Sequence, residues 1–182
     1  DGMRYFNPHA PQSPPSPPGQ ALRWLWKWVF RTNFSTWPEQ ADFLPGAPPV
    51  GQASDGSLFI TAVGHGTFLI QMDGVNILTD PIWSERCSPF SWVGPKRKHE
   101  PGIRLENLPP IDVALVSHNH YDHLDLPTLK SLAQKGMPRA IVPLGNMSLV
   151  KSSGIPAVEE LDWWQSVKLN SSITITLVPA QH

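Results

Sequence analysis

His118-Asn119-His120-Tyr121-Asp122-His123 places three imidazoles and a carboxylate within six positions, in the pattern H-x-H-x-D-H. Neutral imidazole nitrogens and carboxylate oxygens are ordinary zinc ligands, and a catalytic zinc keeps one coordination position open for water. In extended backbone, side chains two apart point the same way, so His118 and His120 can reach one cation together. If the chain then turns into a helix, Asp122 and His123 swing toward a neighbouring position. Two cations about 3.5–4 Å apart can share a hydroxide and clamp a displacement reaction from both sides. The pattern points to hydrolysis and names no substrate. The competing reading is a polar loop with accidental histidines, which leaves the spacing unexplained.

The elements that must position these residues are legible around them. Ile111–Val116 is an apolar run that reads as the strand feeding the motif. Leu126-Pro127-Thr128 opens a short amphipathic helix that Gly136 stops, since Pro is favoured in the first helical turn and Gly just past the last. Upstream, Leu58–Val63, Thr67–Met72 and Val75–Thr79 read as strands, with Gly64-His65-Gly66 a tight turn and Asp73-Gly74 a two-residue hairpin signal. Residues 82–110 carry Gly and Pro without periodicity and read as a long loop, a length that is often functional inside a compact domain. Downstream, Arg139–Val142, Val158–Leu161 and Ser172–Val178 read as strands and Met147–Ser152 as a short helix. Strands come first as a meander and later alternate with helices, which predicts an α/β fold with helices layered on a sheet.

The chain has 182 residues, enough for one domain or most of one. Its net charge of −1 and pI near 6.7 argue against a dedicated nucleic-acid binder. A single cysteine, Cys87, excludes an intramolecular disulfide and leaves the compartment undecided. No apolar run approaches the ~20 residues of a membrane-spanning helix. The 21 prolines are more than twice the usual share and cluster first over Pro8–Pro18, predicting an extended polyproline segment or a tail that wraps over the folded part. Leu22–Phe30 is an aromatic, cationic nonamer in which Leu25, Trp28 and Val29 share a helical face with Trp24 beside them. It reads either as a helix packed on the domain or as an interfacial anchor. The expected division is a Pro-rich extension over 1–55 and a compact domain over 56–182. The start Asp1-Gly2-Met3 has no signal-peptide pattern, consistent with removal of an upstream segment.

Four blocks in order, Gly64-His65-Gly66-Thr67, Leu78-Thr79-Asp80-Pro81, Ser117–Asp125 and Pro179-Ala180-Gln181-His182, resemble the metallo-β-lactamase superfamily. Supporting blocks are Gly94–Arg97, Leu108–Asp112, Pro143–Gly145 and Glu160–Trp164. Within the superfamily they most resemble the N-acylphosphatidylethanolamine-hydrolysing phospholipases D and their bacterial relatives. The resemblance implies an αββα sandwich with a dinuclear zinc site, of which this chain is about the first half. By position, His118, His120 and His182 would bind one zinc, and Asp122 and His123 the other. Asp80 would orient a ligand from behind, and His65 would lie close to the metals. The family pattern continues past His182 with a bridging aspartate and a further histidine, so the chain is expected to need the remaining half to turn over substrate and, alone, to expose one sheet face.

The expected activity is phosphodiester hydrolysis of phospholipase D type on N-acylphosphatidylethanolamine-like lipids through a metal-bound hydroxide, with Asp122 both ligand and catalytic group. Lactonase-like acyl hydrolysis at the same site is one alternative, and a non-catalytic half-domain that binds a partner or membrane is another. A cytoplasmic or peripheral-membrane setting is favoured. Lys96-Arg97-Lys98-His99 reads as a solvated basic loop or as a contact for substrate phosphate. Trp163-Trp164 reads as core rather than pocket lining, and Asp112 and Asp125 read as structural, the latter near a helix start.

Overall fold

The computed structural model describes residues 17–29, 49, 51–53 and 56–180. The chain divides into two units, Asp1–Pro38 and Glu39–His182. In the first, α1 (Gln20–Val29) realises the helix expected of the aromatic nonamer, opened by the Arg23 amide donating to the Gly19 carbonyl. Leu22 and Trp26 are exposed on it. Phe30 and the side chains of Trp24, Leu25, Trp28 and Val29 lie outside the described residues, as do Pro8–Ser16.

In the second unit six strands form one sheet in chain order: β1 (Leu58–Gly64), β2 (Thr67–Met72), β3 (Val75–Thr79), β4 (Val113–Leu115), β5 (Arg139–Pro143) and β6 (Ala157–Leu161). The first three run antiparallel, and β3 through β6 run parallel. The β2–β3 hairpin turns on Asp73 and Gly74, both at positive φ (43° and 75°), the geometry for which Asp-Gly is favoured. Helices α2 (Leu126–Gln134) and α3 (Met147–Lys151) make the β4–β5 and β5–β6 crossovers.

Period-two alternation divides the core. Leu69, Leu78, Ala114, Ala140 and Val142 point to one face and bury against Leu129 and Leu132 of α2 and Val150 of α3. Ile77, Val113 and Ile141 point to the other face, where they meet Ile173 and the half-buried Val167 and Ile175 of a hairpin formed by β7 (Ser166–Lys168) and β8 (Thr174–Thr176). The layers are therefore helices, sheet and hairpin.

Three expectations need correction. β7 is absent from the sequence reading because Ser166-Val167-Lys168 has one apolar residue and no alternation; its partner strand and the Asn170 side chain, which accepts from the amides of Ser172 and Ile173, define it. The second sheet face is not open throughout: the hairpin covers β3 to β5, and exposure concentrates at the edge strand, on Leu58 and Ile60. Trp164 is not core but 69% exposed, on a turn where its φ of +67° carries it outward. Among the described residues, no helix is long and apolar enough to cross a membrane.

Candidate metal centre

Parallel strands deliver their carboxyl ends to one edge of a sheet, and ligand sites in such folds gather there. β3 leads directly into Asp80, and the chain after β4 leads into Ser117 and the histidine motif. Asp80 is 6% exposed and sits at φ +35°, a conformation a non-glycine residue holds only when its surroundings fix it. Its backbone amide donates to the Leu115 carbonyl (2.8 Å), and its carbonyl accepts from the Thr67 hydroxyl (2.6 Å). Its carboxylate accepts from the Ser117 amide and the Ser117 hydroxyl, each at 2.7 Å, and from His123 Nδ1 at 2.7 Å.

This network assigns the imidazole tautomers. Ser117 gives its only hydroxyl proton to Asp80, so at 3.0 Å from His118 Nδ1 it acts as acceptor and His118 carries its proton on Nδ1. His123 likewise spends Nδ1–H on Asp80. In both rings the basic lone pair is left on Nε2, the arrangement in which a carboxylate behind a histidine orients it toward a cation.

Those nitrogens point at two neighbouring places. His118 Nε2 and His120 Nδ1 lie 3.2 Å apart. A hydrogen-bonded turn, in which the amides of His123 and Leu124 donate to the His120 carbonyl, then redirects the chain. That turn, rather than the helix expected, moves Asp122 and His123 to the second place; α2 begins only at Leu126, capped by Asp125. There His65 Nε2 lies 3.1 Å and His123 Nε2 3.7 Å from Asp122 Oδ2. His65, Asp122 and His123 offer ligand atoms all within 4.8 Å of one another. Two donors bound tetrahedrally to one zinc at about 2.0–2.1 Å stand about 3.4 Å apart, so the spacings at both places suit a divalent cation.

Burial pushes the Asp122 carboxyl up, but its own backbone amide, then the charges of His123 and His65, outweigh it and hold the pKa below the ordinary 3.8. Asp122 is therefore ionised at neutral pH, as a ligand must be.

His65 joins Asp122 and His123 more directly than its place in a turn between glycines suggested, while His182 lies outside the described residues. Sequence reasoning gave no role to Ser117 or Gly66. Ser117 relays Asp80 to His118, and a side-chain carbon on Gly66 would meet Asp80 Oδ2 and the His123 ring at 3.2 Å. Asp125 accepts from the hydroxyl of Thr128 and from the amides of Trp83 and Ser84 and the Ser84 hydroxyl, tying the long loop to the motif. The basic run is engaged within that loop: Lys96 pairs with Glu85 at 2.7 Å, and Arg97 Nη2 donates to the Ile82 carbonyl at 2.8 Å.

The family profile described as Beta-lactamase superfamily domain matches residues 75–182, which include this arrangement except His65, Gly66 and Thr67. The chain belongs to that superfamily. An uncharacterized protein of Mycobacterium tuberculosis is 42% identical over 87% of the chain and 42% of its own length. The N-acyl-phosphatidylethanolamine-hydrolyzing phospholipase D 1 of Caenorhabditis elegans is 39% identical over 87% of the chain and 49% of its own length. The chain thus spans less than half the length of these relatives. A metallo hydrolase from the archaeon Ignicoccus hospitalis superposes with a TM-score of 0.51 at 23% identity, covering 69% of this chain and 49% of that one. That likeness bears out the expected fold class, with this chain forming part of the superfamily domain.

Proposed function

We propose that this chain carries the metal-binding half of a hydrolase that cleaves phosphodiesters of the N-acylphosphatidylethanolamine type. The observation that carries the reading is the divided donor set, His118 with His120 at one place and His65, Asp122 and His123 at the next. The phospholipase D named among its relatives supplies the substrate class. Zinc suits imidazole and carboxylate donors in this mix, and His182 is proposed to join His118 and His120. Divalent cations held there would provide a water-derived nucleophile at neutral pH and offset negative charge developing at phosphorus.

The chain's own residues do the rest. Asp80 and Ser117 fix the tautomers of His123 and His118, so that both present Nε2 without rearrangement. Asp122, ionised and partly exposed, is placed to bind a cation and to accept a proton from water on the solvent side. Cys87 and Arg97 belong to the surrounding loop, the carboxylate of Asp125 caps α2 and holds that loop, and none of the three is given a chemical role.

Release of phosphatidic acid from N-acylphosphatidylethanolamine by this chain supplied with the remaining half of the domain, with and without zinc after chelation, tests the reading. Zinc-dependent release that His120→Ala abolishes is expected. Hydrolysis of a lactone but not of the phosphodiester would move the site to acyl chemistry, and tight zinc binding with neither reaction would make it a binding module.

A further inference from the structure

The loop after β3 contains a built finger that the metal site does not use. Its two sides, Glu85–Cys87 and Pro95–Arg97, are held together by the Arg97 amide on the Glu85 carbonyl (2.7 Å) and the Cys87 amide on the Pro95 carbonyl (3.1 Å), with an antiparallel bridge between Arg86 and Lys96. The Lys96–Glu85 ion pair and the Arg86 guanidinium on the Gly94 carbonyl (2.7 Å) reinforce this neck. Gly94 closes it at φ +99°, where a side-chain carbon would meet Ser88 Cβ at 2.7 Å. At the root, Asp125 and Arg97 grip Ile82 to Ser84, so the finger is fixed to the same segment that carries the histidines.

This stapled hairpin places two large aromatic side chains in water. Phe90 is 55% exposed and Trp92 76%, their rings 5.8 Å apart. Beneath the tip, residues 85–98 carry four cations (Arg86, Lys96, Arg97, Lys98) against one anion (Glu85), a net +3 in a chain whose net charge is −1. Large apolar side chains exposed on a rigid support mark a contact site. Aromatic rings above a cationic base match an anionic bilayer: Trp favours the headgroup level, while Lys and Arg are drawn to the negative surface potential.

We propose that the finger tip, Phe90 and Trp92, inserts into the interface of anionic phospholipid membranes, with the basic neck at headgroup level. The inference complements the lipid-hydrolase reading without resting on it, because docking requires neither a metal nor turnover.

Co-sedimentation of the chain with phosphatidylcholine vesicles, with and without phosphatidylglycerol, tests the inference. Partitioning is expected only onto the anionic vesicles and is expected to weaken as salt is raised. Phe90→Ser/Trp92→Ser should lower it by roughly tenfold or more, since the apolar area of both rings is lost. Trp26→Ser on α1 should leave most of it, and His120→Ala should leave it intact, which separates failure of docking from failure of the hydrolase reading. Circular dichroism of each variant matching the parent excludes unfolding, which substitution at such exposed positions is not expected to cause. Undiminished binding of the double variant, or loss with Trp26→Ser alone, would overturn the proposal. So would a dimer in the absence of vesicles that the double variant dissociates, because the tip would then meet a second copy of the chain.

Discussion

Two histidine–carboxylate pairs stand side by side in the candidate metal centre and are built differently. In the Asp80–His123 pair the side chains are 9% and 21% exposed and 2.7 Å apart, and Ser117 gives the carboxylate two further hydrogen bonds. In the Asp122–His65 pair they are 44% and 58% exposed and 3.1 Å apart, on a turn and a hairpin tip. The same two functional groups therefore serve unlike ends. The buried pair is scaffolding, whose geometry is set before any cation arrives. The exposed pair costs little to rearrange, since a solvent-screened contact of this kind contributes about 0–1 kcal/mol.

If that contrast is right, substitutions on the two pairs should separate stability from metal binding. Asp80→Ala carries the largest effect. It strands the Ser117 amide and frees His123, so a stability loss of about 2–3 kcal/mol is expected in urea unfolding. Zinc affinity should fall ~10–100-fold in a chelator competition. Gly66→Ala comes next, because the added methyl meets Asp80 and His123 at 3.2 Å and one of them must move. A cost of about 1–3 kcal/mol is expected. His65→Ala should leave stability within about 0.5 kcal/mol while weakening one of the cation sites. Equal destabilisation by His65→Ala and Asp80→Ala would erase the distinction between the pairs.

Smaller effects report on Asp122. Its folded pKa lies below the ordinary value, so its contribution to stability is present above the unfolded pKa and is lost as pH falls through the folded one. The stability difference between the parent and Asp122→Asn should thus be flat near neutrality and shrink only below about pH 4. Cys87 gives the subtlest readout. Burial raises its thiol pKa, and the charge of Asp122 raises it further, so alkylation should be slow at neutral pH and slightly faster in Asp122→Asn.

The residues proposed to donate to cations were legible because their chemistry is carried by type and spacing: His118, His120, Asp122 and His123 occupy one short segment. The hairpin at Asp73-Gly74 and the cap at Asp125 were legible for the same reason, each being a local rule with a local signal. What escaped was set by distance in the chain. Ser117 acquires its task only when β3 brings Asp80 alongside β4, and a serine before a histidine has no signature of that contact. β7 exists because β8 and the sheet face behind it supply what its own three residues lack. Trp164 looked like core by composition and is turned outward by its backbone.

Asp125 closes the metal motif, caps α2 and receives the amides of Trp83 and Ser84 from the root of the finger. Its carboxylate takes bonds from two segments, the loop root and α2, and the Trp83 amide also donates to the Thr128 hydroxyl, so the loop root cannot lift away without breaking contacts to both the histidine segment and α2. Amide hydrogen exchange at Ser84 and Thr128 should therefore proceed through one shared opening event, and the histidine loop and the aromatic finger should loosen as a single cooperative unit.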